Sequence, residues 1–187
     1  MPFYYPVPTL SSAFTGDELH DWEFFYPDPV APSGGTVASF TFTKAKYLFL
    51  TKEVDLDGGS TIRIALLMTN TSVTTAGQED VATVSALSVL DEMNGTNYAR
   101  IDVTSSCSVT QDDTNNRAVF TFDDQTWTSL GAGSRNMAGI LVIYDPTNTN
   151  ADATNVPLFW LDGGFPQSGT GTDFVYTPNT AGVVYLG

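Results

Sequence analysis

The chain has 187 residues and sets 21 Asp and Glu against 7 Lys and Arg, a formal net charge of −14. That length suits one domain, or one domain with an arm, and is enough for a hydrophobic core without disulfide or metal support. Such an acidic balance disfavours gripping nucleic acid or docking on an anionic membrane, since both need clustered basic residues.

With 42% apolar and 15% charged residues, the sequence is not a disordered acidic tail. Cys107 and His20 are each the single residue of their type, which excludes an internal disulfide framework, a Cys-rich zinc site and a multi-histidine metal centre. No run approaches the ~20 apolar residues of a membrane span, and the leading residues Met1-Pro2-Phe3-Tyr4-Tyr5 have no signal-peptide pattern. The expectation is synthesis and assembly in a cytoplasm. The Asn70 and Asn94 sequons then carry little weight.

Residues 1–42 read as an extended arm. Prolines at 2, 6, 8, 27, 29 and 32 fix their own φ and push each preceding residue into extended geometry. Among them stand Phe3, Tyr4, Tyr5, Trp22, Phe24, Phe25 and Tyr26, too many large aromatics for a solvated linker. These are the candidate partner-binding anchors, to be buried on a neighbour or on the chain's own domain. The alternative is an N-terminal edge strand of that domain.

The domain proper is expected over 43–187. Thr43 is placed to cap a short helix over 44–52, with Ala45, Leu48 and Phe49 inward and a turn at Asp57-Gly58-Gly59. Residues 61–68 alternate and then become fully apolar, the pattern of a strand covered on both faces in its second half. A polar loop spans 69–80, and 81–90 suit a short helix or irregular turn. Residues 98–104 alternate as a half-buried strand, with Ala99, Ile101 and Val103 on one face and Tyr98, Arg100 and Asp102 on the other.

A hairpin follows, 108–111 and 117–122 about a polar turn at 112–116. The apolar run 138–144 is the best candidate for a central strand, and 156–162 is another, with Pro157 near its start or on an edge. A loop over 163–171 and short strands at 173–176 and 182–186 complete the chain. Seven or eight strands at roughly ten-residue spacing, and 26 Thr among 187 residues, predict an all-β fold. The expected form is an antiparallel β-sandwich, jelly-roll-like or barrel-like, with one or two short helices.

No catalytic residue, cofactor site or metal site is assigned, and the expectation is a protein that is not an enzyme. The pairs Asp55/Asp57, Asp112/Asp113 and Asp123/Asp124 lack calcium-loop spacing and read as turn carboxylates. Paired carboxylates beside Trp127 and Trp160 suggest glycoside hydrolysis only weakly, because Trp160 sits in an apolar strand and Trp127 reads as a core plug. His20 lies in the arm. The stretch 129–134 is neither a P-loop nor a nucleophile elbow. Cys107 reads as a buried small side chain.

The string Leu90-Asp91-Glu92-Met93-Asn94-Gly95-Thr96-Asn97-Tyr98-Ala99-Arg100 resembles a segment of small virion proteins of tailed bacteriophages. The same family is matched in order by Val54-Asp55-Leu56, by Asn116-Arg117-Ala118-Val119-Phe120, by Phe122-Asp123-Asp124 with Trp127, and by the runs 138–144 and 157–162. The resemblance covers about residues 44–187. It departs at Asn97, where many members have Gly, and residues 1–43 match nothing in it. It implies a structural particle component without catalytic residues, localised in the virion.

A capsid decoration (cement) protein fits the acidic domain and sticky arm best. Its partners would be the major capsid protein and neighbouring copies of itself, with a homo-oligomer, a trimer by family analogy, and neither nucleic acid nor membrane. The alternative is a head–tail, tail or fibre component, including a receptor- or glycan-binding module.

Overall fold

Sequences rich in Thr and aromatic residues and poor in lysine favour strands over helices, and the fold is mainly β. The structure, a computed structural model, describes residues 39–178 and the backbone of 184–186. The proposed anchors Phe3, Tyr4, Tyr5, Trp22, Phe24, Phe25 and Tyr26 lie outside the described residues.

Among the described residues, ten strands form three antiparallel sheets. The largest has five, in the order β1 (Phe40–Thr41), β8 (Val156–Leu161), β7 (Met137–Tyr144), β2 (Ile62–Met68) and β3 (Ile101–Asp102). The three continuous apolar runs occupy its middle, where both faces are covered, and β8 is buried along its whole length. Pro157 is the second residue of β8, beside the place where the β7–β8 register slips between Val142 and Ile143. Its missing N–H thus falls where pairing is already interrupted.

Register sets the two faces of this sheet. Trp160, Leu141 and Ala65 stand opposite one another on one face, and the Trp160 indole lies over Gly139. Phe159, Val142 and Ile64 line the other. There Phe159 meets Phe49 of helix α1 (Thr43–Leu50) at 5.5 Å and Phe120 of β5 (Arg117–Phe122) at 5.4 Å between ring centroids. β5 is the middle of the second sheet, between β4 (Cys107–Asp112) and β10 (Val184–Leu186). The third pairs β6 (Gln125–Leu130) with β9 (Thr172–Tyr176). Phe122 of the second sheet meets Tyr176 of the third at 6.1 Å; within the third, Trp127 meets Phe174 at 5.8 Å, and Phe165 covers both Phe174 and Tyr176.

Several expectations need correction. The five-stranded sheet ends at β1 and β3 and the others are open too, so the barrel-like alternative fails among the described residues. Phe42, not Thr43, precedes the helix without a side-chain cap, and the Thr43 hydroxyl donates to Asp80 Oδ1 at 2.7 Å instead. The helix ends at Leu50, and Lys52 adopts a left-handed φ of 59°. The strand expected over 98–104 shrinks to Ile101–Asp102, because Tyr98 and Arg100 turn to other partners. Residues 81–90 contain a single 3₁₀ turn at Val84–Ala86. β6 was not foreseen, since its Thr- and Ser-rich alternation buries only Trp127 and Leu130. β1 lies within the stretch that composition groups with the arm, and Phe42 beside it is fully buried.

Candidate functional site

Strand β2 is longer than its neighbour β3, so half of its outer edge needs other partners. Residues 91–93 supply them: Met68 N–H donates to Asp91 O at 2.7 Å, and Met93 N–H donates to Leu66 O at 2.9 Å. Glu92 stands opposite Leu67. Tyr98 closes the remaining gap. Its hydroxyl accepts the Leu66 N–H at 3.2 Å and donates to Glu92 Oε1 at 2.7 Å.

Arg100 then grips the Glu92 carboxylate with two parallel bonds, of 2.8 and 2.6 Å. Its remaining side faces Asp152 Oδ1 at 2.7 Å and donates to Asn150 Oδ1 at 3.0 Å. The Arg100 side chain is only 6% exposed. Burial works against its charge, but Glu92 and Asp152 outweigh that and hold the guanidinium above its ordinary value. Burial, followed by the Glu92 charge, pushes the Tyr98 phenol far above its ordinary value. Neither the phenol nor the guanidinium exchanges a proton near neutrality.

The turn between Glu92 and Tyr98 is equally committed. Asn97 takes a φ of 63°, a left-handed conformation that Asn tolerates better than most residues, and donates its amide to Ser129 O at 3.0 Å. A side chain at Gly95 would collide with the Gly131 carbonyl. Trp127 Nε1 donates to Ala99 O at 2.8 Å, which ties β6 to the same segment. The segment 90–100 is therefore a structural clamp on a sheet edge.

A second arginine organises the next loop. Arg63 Nε donates to Asp145 Oδ2 at 2.9 Å, and its terminal nitrogen donates to Asn148 Oδ1 at 2.6 Å. The fully buried Asp145 carboxylate also accepts the Asn150 N–H at 2.7 Å and the Thr149 N–H at 3.3 Å. Burial opposes its ionisation, yet Arg63 and the two amides hold its pKa below the ordinary value. A depressed folded-state pKa contributes stability above the unfolded value, about 3.9, and that contribution is lost as pH falls through the folded value. Asp145→Asn is expected to lower the melting temperature at pH 6–7 and to flatten its fall below about pH 4. Thermal melts of both proteins from pH 7 to pH 2 check this.

Members of two of the three acidic pairs are spent on turns and a strand edge. Asp55 Oδ1 accepts the Asp57 N–H at 2.9 Å, and Asp57 Oδ1 accepts the outward N–H of Val109 at 3.3 Å, which covers part of the β4 edge. Asp112 accepts Arg117 Nε at 2.8 Å and the Asn115 amide at 2.7 Å. Among the described residues no three His, Cys, Asp or Glu side chains form a group able to hold a metal ion. No helix among them is long and apolar enough to cross a membrane. His20 lies outside the described residues.

Cys107 is half-buried at the start of β4, and burial, with the Asp102 and Asp123 charges adding, pushes its thiol up to about 12. Alkylation of the native protein at pH 8 is expected to run about a thousandfold slower than for a free cysteine. A timed iodoacetamide reaction with and without denaturant measures the ratio.

Trp160 is core, and its Nε1 is buried without an acceptor. Trp127 plugs the region between β6 and β9. The grooves beside the β4–β5 hairpin, beside α1 and beside residues 97–101 are open and shallow. The two arginine networks were not visible in the sequence: alternation placed Arg100 on a solvent face, and nothing local links Arg63 to Asp145. No protein family, curated protein or solved structure matches the chain.

Proposed function

We propose that the chain is a structural component of a tailed-bacteriophage particle, a capsid decoration protein that binds the shell and ties neighbouring subunits through its leading residues. In this reading the domain is a two-layer, jelly-roll-like β-sandwich, a water-facing body whose negative charge keeps particles apart. The single observation that carries it is a contrast. The domain's four arginines are each ion-paired, and Trp127 and Trp160 are buried. The first 38 residues hold eight large aromatics, seven of them in two clusters, among six prolines. Aromatic side chains of that kind serve as interface anchors, and several acting together multiply affinity.

Deletion of residues 1–38 tests this. The cut leaves Phe40 and Phe42, which belong to the sheet and core, in place. The shortened chain is expected to keep a cooperative thermal unfolding transition and to bind capsids more weakly by roughly tenfold or more in co-sedimentation. Undiminished binding by a folded deletion variant overturns the proposal.

A further inference from the structure

The chain's three lysines, Lys44, Lys46 and Lys52, all lie on α1 or just after it. The same helix carries the two large apolar side chains most exposed on the described surface: Leu50 is 85% exposed and Tyr47 is 53% exposed. Positions 43, 46, 47 and 50 follow helical spacing, so Lys46, Tyr47 and Leu50 share one outward face. Lys44 Nζ lies 4.5 Å from the Tyr47 ring centroid. Ala45 and Leu48 bury the opposite face. On a chain of net charge −14, this is a localised cationic and apolar surface.

Its complement is in the sequence. Residues 17–28 hold Asp17, Glu18, Asp21, Glu23 and Asp28 interleaved with Leu19, Trp22, Phe24, Phe25 and Tyr26, and no Lys or Arg occurs before Lys44. Acidic groups alternating with large rings suit a surface where ammonium groups flank Tyr47 and Leu50. The connector of residues 29–38 reaches at most about 35 Å when extended, and Gly34-Gly35 lets it reverse. A groove lined by Phe40, Thr41, Lys46, Val73 and Glu79 runs from the first described strand to the helix. Glu79 and Asp80 border it, so the attraction on the outward face rests on Lys44 and Lys52.

We infer that the exposed face of α1 is the docking surface for residues 17–28 of the same chain. A short tether places that segment at an effective concentration in the millimolar range, which favours the chain's own helix over that of a second copy. This concerns the isolated protein and does not rest on the shell reading. Capsid binding and self-docking stand or fall separately.

Zero-length carbodiimide cross-linking of the dilute full-length chain, followed by peptide mass mapping, tests it. The expected products are monomers in which Lys44 or Lys52 is joined to Asp17, Glu18, Asp21 or Glu23. Leu50→Asp, at a side chain that supports no core, is expected to abolish those links and shift Trp22 fluorescence to longer wavelength; the Trp22→Phe difference spectrum isolates that signal. The inference is overturned if the lysines join only carboxylates of residues 39–178, if arm links appear only in covalent dimers, or if Leu50→Asp changes nothing.

Discussion

Gly139→Val is expected to destabilise the domain by about 3 kcal/mol or more, the largest effect of any single substitution proposed. A Cβ at this position would lie 2.5 Å from Trp160 Cη2 and Cζ2 and 2.6 Å from the Leu161 carbonyl oxygen. The ring has nowhere to go. Trp160 is 1% exposed, packed with Leu141 in the middle strands of the largest sheet. The carbonyl is backbone and moves only if β8 moves. The cost is therefore one of space and not of backbone conformation. Gly139→Ala is expected to show most of the effect. Trp160→Phe added to Gly139→Ala is expected to recover only part of it, since the carbonyl clash remains. Urea denaturation with an unchanged slope measures each difference.

Arg100→Met is expected to cost about 3 kcal/mol, because it strands the Glu92 carboxylate beside the buried Tyr98 hydroxyl. Arg100→Lys is expected to restore little, since a single ammonium cannot reproduce the two parallel bonds to Glu92. Damage begins at the outer edge of β2, where Leu66 N–H depends on the Tyr98 hydroxyl. Hydrogen exchange should therefore report faster exchange at Leu66 and Met93 before the β7–β8 ladder is affected. Exchange that accelerates uniformly across the sheet would show that the network is not a local clamp.

The parts of this fold that were legible in the sequence are those whose burial pattern is continuous. Residues 61–68, 138–144 and 156–162 announce central strands because both faces are covered, and the Asp112–Asn116 turn announces its hairpin. What was not legible depends on distant partners. Tyr98 and Arg100 alternate like residues of a solvent-facing strand, yet they turn inward because β2 outruns β3 and its edge needs donors and acceptors. Strand β6 was hidden because it buries only Trp127 and Leu130, and its pairing with β9 is set by Phe174 across the sheet. The site was legible only as a string of residues, because its physical role as an edge clamp required the fold.

Quantitative mass spectrometry of phage particles purified from a host that expresses the chain tests the shell proposal most directly. The account predicts a copy number per particle of the same order as the major shell protein. A handful of copies, or none, contradicts it.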